Sequence, residues 1–160
     1  MHLRWAGPQD ADLLQEALLG TVNWDPGRPP VGRDELLHNP QLVRYLATFE
    51  DEGAFGIVGE AEARPIGVVW AVRFREDAPG YGFVSAEAPE IGLWVRPDHR
   101  GQGHGHELLG SLVHEAQRRR LPGLSLSVDS FNPAATLYRE FGFRTVGTSG
   151  DSETMLLTLG

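Results

Sequence analysis

The sequence predicts a single domain of the α/β (α+β) class, in which helices pack on a mixed sheet. The chain has 160 residues, of which 41% are hydrophobic, and this is enough for one core. Strand-like and helix-like patterns follow one another in the order β-α-α-β-β-β-α-β-α-β-β. No internal repeat and no long linker divides residues 1–160, so we expect one domain.

The first half of the chain is predicted to supply one strand, two helices and a hairpin. An apolar stripe at helical spacing follows Pro8 and should stop at Gly20, since proline opens helices and glycine closes them. Pro40 falls inside the second helical stretch, so we expect that helix to be broken there. The elements expected here are a strand at 2–6, helices at 8–20 and 34–49, and hairpin strands at 54–60 and 66–74.

The second half alternates strands with helices. A β-rich run from Glu90 to Val95 ends at a proline turn, and the leucines after Gly103 recur at helical spacing. Gly142 is expected to close the last helix. The elements expected here are a short strand at 83–84, strands at 90–95 and 124–129, helices at 103–119 and 132–141, and closing strands at 143–147 and 154–159.

The composition limits the classes of function. The formal net charge is −8, and an acidic surface repels a phosphate backbone, so we expect no nucleic-acid partner. The same charge slightly favours a small cationic amine as ligand. No apolar run is long enough for a membrane helix, and the first residues lack the apolar segment of a secretory leader. Cys is absent, which excludes disulfides and thiolate nucleophiles, and we expect a cytoplasmic protein without a membrane partner.

A glycine loop, Arg100-Gly101-Gln102-Gly103-His104-Gly105, lies between a predicted strand and a predicted helix. Alternating glycines allow a tight turn, and their amides would converge with the free N–H groups of the helix on one point. The G-x-G-x-G spacing differs from the dinucleotide fingerprint, and the Gly-Lys-Ser/Thr of a Walker loop is missing. The loop alone is therefore either a phosphate site or a flexible turn before a helix.

With its neighbours, this loop resembles the acyl-CoA-binding motif of the GNAT superfamily of N-acyltransferases. The matching stretch, 91–109, reads IGLWVRPDHRGQGHGHELL, with a strand, a Val-x-Pro turn, the glycine loop and a helix. Residues 132–143, NPAATLYREFGF, resemble the second family signature, Asn-x-x-Ala-x-x-Leu-Tyr-x-x-x-Gly-Phe. The resemblance implies a GNAT-like, mostly antiparallel sheet of six or seven strands flanked by about four helices. It also implies transfer of an acetyl group from acetyl-CoA to a primary amine.

The resemblance assigns contacts with acetyl-CoA to two stretches of the chain. The backbone of the motif strand would hydrogen-bond the pantetheine arm, and the glycine loop would bind the pyrophosphate through its amides. Asn132 would contact the arm, and an asparagine at this position is also typical of a helix N-cap, which is compatible with that contact. The cofactor-binding residues implied are Leu93, Trp94, Val95, Arg100, Gly101, Gln102, Gly103, His104, Gly105, His106 and Asn132.

Tyr138 matches the family tyrosine that protonates the departing CoA thiolate, although without the motif it would be taken for a core tyrosine. The attacking amine must lose a proton, because an ammonium has no lone pair. Glu90 is the candidate base, directly or through water, with a solvated strand-end carboxylate as the alternative. Some family members carry an acidic base on the next strand, where this chain has Ser127, and Asp129 and water therefore stay open as bases. A main-chain N–H near Val95 would stabilise the developing oxyanion.

The acceptor is the least defined part of the prediction. Trp24 and Asp25 lie in the segment that walls the acceptor side in the family, and Tyr81 lies on the long connection. For Trp24 and Asp25, a structured loop with a packing tryptophan is the alternative. The histidines do not follow H-E-x-x-H, so we expect no metal. We expect a small-molecule or peptide amine as acceptor, and the resemblance makes a homodimer possible.

A non-catalytic acyl-CoA-binding module of the same fold is the alternative function. The retained Tyr138 favours the enzyme, because a module that only binds acyl-CoA does not need an acid for the leaving group. Direct transfer in a ternary complex is favoured over a covalent acyl-enzyme, since the chain has no Cys.

Overall fold

Seven strands and five α-helices make up the fold in a computed structural model that describes residues Met1–Gly160. The strands are β1 His2–Trp5, β2 Phe55–Ala61, β3 Arg64–Val72, β4 Glu90–Val95, β5 Gly123–Asp129, β6 Arg144–Ser149 and β7 Ser152–Thr158. The helices are α1 Ala11–Val22, α2 Arg33–His38, α3 Pro40–Thr48, α4 His104–Arg118 and α5 Ala134–Glu140. Short 3-10 turns at Pro8–Asp10 and Pro97–His99 precede α1 and the glycine loop.

All seven strands form one sheet, in the order β1-β2-β3-β4-β5-β7-β6. Every neighbouring pair is antiparallel except β4 and β5, which run parallel. A parallel pair needs a crossover, and α4 supplies it. The mixed, mostly antiparallel sheet with helices is therefore confirmed as the fold class.

The two faces of the sheet carry separate apolar clusters. Neighbouring residues of β3 alternate between them, as a pleated strand requires: Val69 belongs to one cluster and Val68 to the other. The first cluster includes Leu108, Leu109 and Leu112 of α4, all fully buried, and the second includes residues of α1. α1 and α4 thus cover opposite faces, and β4 lies between them in the middle of the sheet.

The predicted break at Pro40 is confirmed, because α2 ends at His38 and α3 begins at Pro40. Asn39 caps α3 by accepting a hydrogen bond from the Gln41 amide at 3.0 Å. This break gives one helix more than the predicted order.

Two local predictions are wrong. α1 does not stop at Gly20 but continues to Val22, and the glycine instead makes room for the Trp94 indole, which a Cβ at this position would meet. The expected strand at 83–84 is irregular: the Phe83 amide closes a turn onto the Gly80 carbonyl at 3.3 Å, and no neighbouring strand pairs with it. At Gly20 a distant side chain accounts for the glycine, whereas at 83–84 a local turn takes the place of the expected strand.

Candidate active site

The central feature of the site is a gap between β4 and β5. The two strands are in register only at Glu90 and Ser125, and beyond that pair they diverge. The amide of Arg96 bonds the Ile66 carbonyl at 2.8 Å, so alternation along β4 directs the Trp94 N–H towards β3. The intervening residues, Leu93 and Val95, therefore turn their backbone groups into the gap, which is part of a cleft of about 1030 Å³.

The glycine loop closes one end of this cleft. Gly101 and Gly103 adopt φ values of +76° and +86°, which residues with a Cβ rarely adopt. Nothing lies within 4 Å of the Cβ position of either, so the space above them is open. The first helical hydrogen bond of α4 runs from the Glu107 amide to the Gly103 carbonyl at 3.1 Å. The preceding amides, at 104–106, are free at the positive end of a 15-residue helix, and this is the arrangement of an anion site.

The predicted loop residues do not all face the cleft. Those that line it are Arg100, Gly101, Gly103, His104 and Gly105. The Arg100 guanidinium also donates to the Val95 carbonyl at 3.0 Å, which ties the loop to β4. Gln102 is exposed outside the cleft, and the His106 ring packs on Phe141 at 4.8 Å between centroids. Any contact of these two residues with a ligand in the cleft would have to come from the backbone.

Asn132 and Tyr138 border the cleft from the β5–α5 side. The Asn132 side chain accepts a hydrogen bond from the Ala134 amide at 3.0 Å and so supports the first turn of α5. Tyr138 is buried, and its ring meets Phe143 edge-on at 5.8 Å. Burial raises the pKa of Tyr138, and its hydroxyl has no hydrogen-bond partner in the protein. The hydroxyl therefore stays protonated and is available to a group in the cleft.

Glu90 stands where β4 and β5 begin to diverge, and only 5% of its surface is exposed. One carboxylate oxygen accepts from the Tyr45 hydroxyl, and the other accepts from the Gly82 amide at 3.0 Å. Burial raises the pKa of Glu90 to about 7, although both hydrogen bonds act to lower it. A carboxyl group that titrates near neutrality is suited to general-base chemistry.

Tyr45, on α3, belongs to the candidate site although the sequence did not indicate it. Its hydroxyl donates to Glu90 and accepts from the Tyr81 amide at 2.7 Å, so it links the connection before β4 to the carboxylate. Burial, together with the charge of Glu90, raises the pKa of Tyr45, so it donates as a neutral phenol. The sequence carries no signal for this pair, since 45 positions separate its members.

Asp129 has a different environment at the end of β5. Its carboxylate accepts from the Trp24 indole at 2.6 Å, the Ser152 hydroxyl at 2.8 Å and the Arg28 guanidinium at 3.1 Å. Burial alone would raise the pKa of Asp129, but these donors and the charge of Arg28 hold it below its ordinary value. Because a guanidinium and two neutral donors stabilise its ionised form, Asp129 is a weak proton acceptor, and Glu90, whose two donors are both neutral, is the better candidate.

Only some of the predicted acceptor residues lie in the cleft. Trp24 and Tyr81 line the cleft, as does Ser127 of β5. Asp25 does not line it; its carboxylate accepts from the Gly27 amide at 2.9 Å and pairs with Arg28 at 3.4 Å. Asp25 thus shapes the loop between α1 and α2 rather than facing the cleft.

Two further properties concern metals and membranes. No group of three or more His, Asp or Glu side chains is arranged to hold a metal ion. None of the helices has the length and apolar content needed to cross a membrane.

Comparison with known proteins places this arrangement in a family. The chain is similar in structure to the ribosomal-protein-alanine N-acetyltransferase of Brucella melitensis, with 23% identity, a TM-score of 0.70, and coverage of 99% of this chain and 100% of the other. YncA of Salmonella typhimurium, solved with acetyl-CoA, gives 24% identity, a TM-score of 0.71 and coverage of 100% and 94%. A phosphinothricin acetyltransferase of Sinorhizobium meliloti, also solved with acetyl-CoA, gives 21% identity, a TM-score of 0.70 and coverage of 99% and 88%.

At these identities the structural likeness establishes the fold alone. No curated protein sequence matches the chain. The model of the acetyltransferase (GNAT) family matches residues 18–143, which include the glycine loop, Glu90 and Tyr138. The match spans well over half of the chain, and this protein belongs to the GNAT acetyltransferase family.

Proposed function

We propose that this chain is an N-acetyltransferase that moves the acetyl group of acetyl-CoA to a primary amine by direct attack in a ternary complex. The observation that carries the proposal is the placement of two groups in one cleft. Glu90, with a pKa of about 7, and Tyr138, with a free hydroxyl, both line the space between β4 and β5. One can accept a proton and the other can donate one.

Acetyl-CoA is supported as the donor by the chemistry of the cleft. The free amides at the start of α4 suit a pyrophosphate, and the backbone groups of Leu93 and Val95 can pair with the amides of an extended arm. Family members of the same fold have been solved with acetyl-CoA, which agrees with this assignment. The Val95 N–H, directed into the gap, can stabilise negative charge on the thioester carbonyl oxygen.

Glu90 is the proposed base. An amine with a pKa of ~10 arrives as an ammonium and must be deprotonated before its nitrogen can attack. Glu90 is ionised at a pH above about 7, and its Tyr45 and Gly82 hydrogen bonds hold the carboxylate in one orientation. It accepts the amine proton directly or through one water, and the nitrogen lone pair then forms the new amide bond.

Tyr138 is the proposed acid for the leaving group. A thiol has a pKa of ~8.5, below that of any ordinary tyrosine, so complete proton transfer to the free thiolate is uphill. The hydroxyl acts by hydrogen-bonding the sulfur as the C–S bond breaks and charge develops there, when the bond is strongest. Its raised pKa keeps it protonated throughout the working range.

Direct transfer is favoured over a covalent acyl-enzyme. The chain has no Cys, and Ser127 makes no hydrogen bond that would activate its hydroxyl. The order of events therefore needs both substrates in the cleft together. The cytoplasmic location and the homodimer remain predictions, which cell fractionation and sedimentation velocity would test.

The test is calorimetric titration with acetyl-CoA, followed by assay of free CoA released in the presence of amines. We expect saturable binding that Gly103→Glu abolishes, because a carboxylate on the open loop would repel the pyrophosphate. Gly53→Glu is the matched control, since Gly53 has a similar positive φ of +94°, is exposed and lies outside the cleft, so that it adds the same charge and the same backbone strain away from the loop. No binding by the wild-type protein would refute the proposal, and binding without turnover of any amine would favour the acyl-CoA-binding module.

A further inference from the structure

We infer that the acceptor is a small monoamine with an apolar, flat body, such as an arylalkylamine, rather than a polyamine or an amino acid. This inference rests on the proposed function and names the acceptor class for the same site. It follows from the side chains that surround Glu90 and from the hydrogen bonds that these side chains already make.

Aromatic side chains are concentrated around the cleft. Three of the four tryptophans and all three tyrosines of the chain line it. On the side of α1 and α3, away from the glycine loop, the apolar and aromatic lining residues include Leu18, Trp24, Leu42, Tyr45, Trp70 and Tyr81, with Thr21 and Asn39 among them. A surface of this kind buries apolar area and offers ring faces for stacking.

These aromatic and apolar lining residues, called the aromatic wall below, extend up to the proposed base, Glu90. The Tyr45 hydroxyl donates to Glu90, and the Tyr81 ring stacks on Tyr45 with 6.2 Å between centroids and 11° between planes. Trp24 bounds the cleft from the α1–α2 loop, where its indole donates to Asp129. An amine nitrogen within reach of Glu90 would therefore have the rest of its molecule against ring and aliphatic carbon.

The acceptor side of the cleft offers no second charge, because Arg100, the arginine that lines the cleft, belongs to the glycine loop at the other end. The acidic lining residues of the cleft are Glu90 and Asp129 alone, and Asp129 is paired with Arg28 at 3.1 Å. Arg28 itself is shared with Asp25 at 3.4 Å, and its guanidinium covers the Trp24 ring at 5.8 Å. On this side a second ammonium would find no unpaired carboxylate, one face of the Trp24 indole is already covered by Arg28, and a substrate carboxylate would find no free guanidinium.

Several neutral polar groups of the cleft are also occupied, whereas the Ser127 hydroxyl on β5 makes no hydrogen bond within the protein. The Thr21 hydroxyl donates to the Leu18 carbonyl at 2.8 Å, the Asn39 oxygen caps α3, and the Ser152 hydroxyl donates to Asp129 at 2.8 Å. A strongly polar acceptor would lose more hydrogen bonds to water than the few free polar groups of this wall could replace. An apolar body loses nothing by leaving water there.

The net charge of −8 favours cationic amines only at the stage of encounter. The acidic excess belongs to the molecular surface, and the acceptor side of the cleft holds only the two carboxylates already described. Recognition depends on contacts inside the cleft, whereas net charge affects diffusion and solubility. The preference drawn from composition therefore does not extend to polycations.

The test compares four amines with the wild-type protein and saturating acetyl-CoA. The reference amine is 2-phenylethylamine, which carries the aromatic ring. Phenylalanine adds a carboxylate to it, ethylamine lacks the ring, and spermidine adds further cationic groups. We expect kcat/KM for 2-phenylethylamine to exceed that for ethylamine by about 10- to 100-fold, the usual effect of burying a phenyl group. Phenylalanine and spermidine should fall below 2-phenylethylamine by at least about tenfold.

A substitution at Val31 tests the aromatic wall without changing Glu90 or its hydrogen bonds. Val31 is half-buried in the lining, and Asn23 clamps its backbone through two hydrogen bonds of 2.8 Å. Val31→Asp should lower kcat/KM for 2-phenylethylamine about tenfold or more and raise that for spermidine. Leu37→Asp, at an exposed position of α2 outside the cleft, adds the same charge and should leave both values unchanged. Circular dichroism of both variants establishes that they fold.

The outcomes separate this inference from the proposed function. If spermidine or phenylalanine is acetylated as efficiently as 2-phenylethylamine, the acceptor class is overturned and the N-acetyltransferase stands. If no amine is acetylated, both fail. Calorimetry of 2-phenylethylamine with the CoA complex, in which no transfer occurs, gives an independent readout of recognition: binding tighter than that of spermidine supports the inference, and the reverse order overturns it.

Discussion

Replacing Glu90 by glutamine should make the protein more stable above neutral pH and far less active. The Glu90 pKa is about 7 in the folded protein, against an ordinary value of 4.5, and burial is the main cause. The native state thus holds this proton more tightly than the unfolded chain does. The contribution of Glu90 to the free energy of unfolding is therefore fully present below about pH 4.5 and is lost as the pH rises through about 7.

The size of the effect follows from the two pKa values. The difference between about 7 and 4.5, at ~1.4 kcal/mol per pH unit, gives about 3 kcal/mol as the cost of keeping Glu90 ionised in its buried position. Glutamine avoids this cost, because its carbonyl oxygen can still accept the Gly82 amide hydrogen bond and its NH₂ group can pair with Tyr45. Glu90→Gln should therefore unfold at higher denaturant concentration than wild type at pH 8.5, and at a similar concentration at pH 4.5.

Activity should change in the opposite direction. Loss of a general base lowers kcat/KM by about 10²- to 10⁴-fold. The amine itself titrates, so the informative quantity is the ratio of wild-type to variant kcat/KM at each pH, from which the amine ionisation cancels. That ratio should be constant above about pH 7 and fall about tenfold per pH unit below it, since protonated Glu90 cannot accept a proton.

The assay is release of free CoA from pH 5.5 to 9, with urea unfolding at the same pH values. Glu87→Gln, an exposed carboxylate change in the same connection, is the control and should leave both measurements unchanged. A Glu90→Gln protein that keeps wild-type kcat/KM would refute the role as base. Equal stability of the two proteins at pH 8.5 would refute the argument from burial.

Three further predictions concern the groups around the base. Tyr138→Phe should lower kcat about 10²-fold with little change in KM for acetyl-CoA, and an unchanged kcat would remove Tyr138 from the mechanism. Tyr45→Phe removes a hydrogen bond that lowers the Glu90 pKa, so the acidic limb of the pH profile should move above pH 7; movement to lower pH would contradict this. Gly82→Ala would place a Cβ 2.5 Å from the Ser127 amide nitrogen, and thermal unfolding should show a loss of about 1–3 kcal/mol, whereas an unchanged Tm would show that the connection yields.

The parts of the fold that the sequence predicts are those with local causes. The bounds of β4 agree with its β-rich run, and α4 follows from leucines that recur on one helical face. The break at Pro40 needs only the missing amide of proline. The failure at Gly20 has a distant cause, since the indole that occupies the space beside this glycine comes from Trp94. The spacing of apolar residues along α1 cannot reveal a contact with a residue so distant in the sequence.

The candidate site divides in the same way. The glycine loop and the helix after it form one continuous stretch, so the residue spacing alone indicates an anion site. The environment of Glu90 comes instead from α3 and from the connection before β4, which the fold brings together around one carboxylate. Because a pKa depends on burial and on neighbouring donors, no motif that includes Glu90 could have predicted a value near 7.

The contrast between Glu90 and Asp129 explains why Glu90 is the proposed base of this cleft. Both are acidic residues on the two strands that diverge, yet their partners differ in charge. Asp129 accepts from the Arg28 guanidinium, which stabilises the carboxylate and lowers its pKa. Glu90 accepts only from a phenol and a backbone amide, and these neutral donors orient the carboxylate without compensating for its burial. Keeping cations away from Glu90 is therefore what preserves its basicity, and the same absence of charge leaves the acceptor side of the cleft suited to an apolar amine.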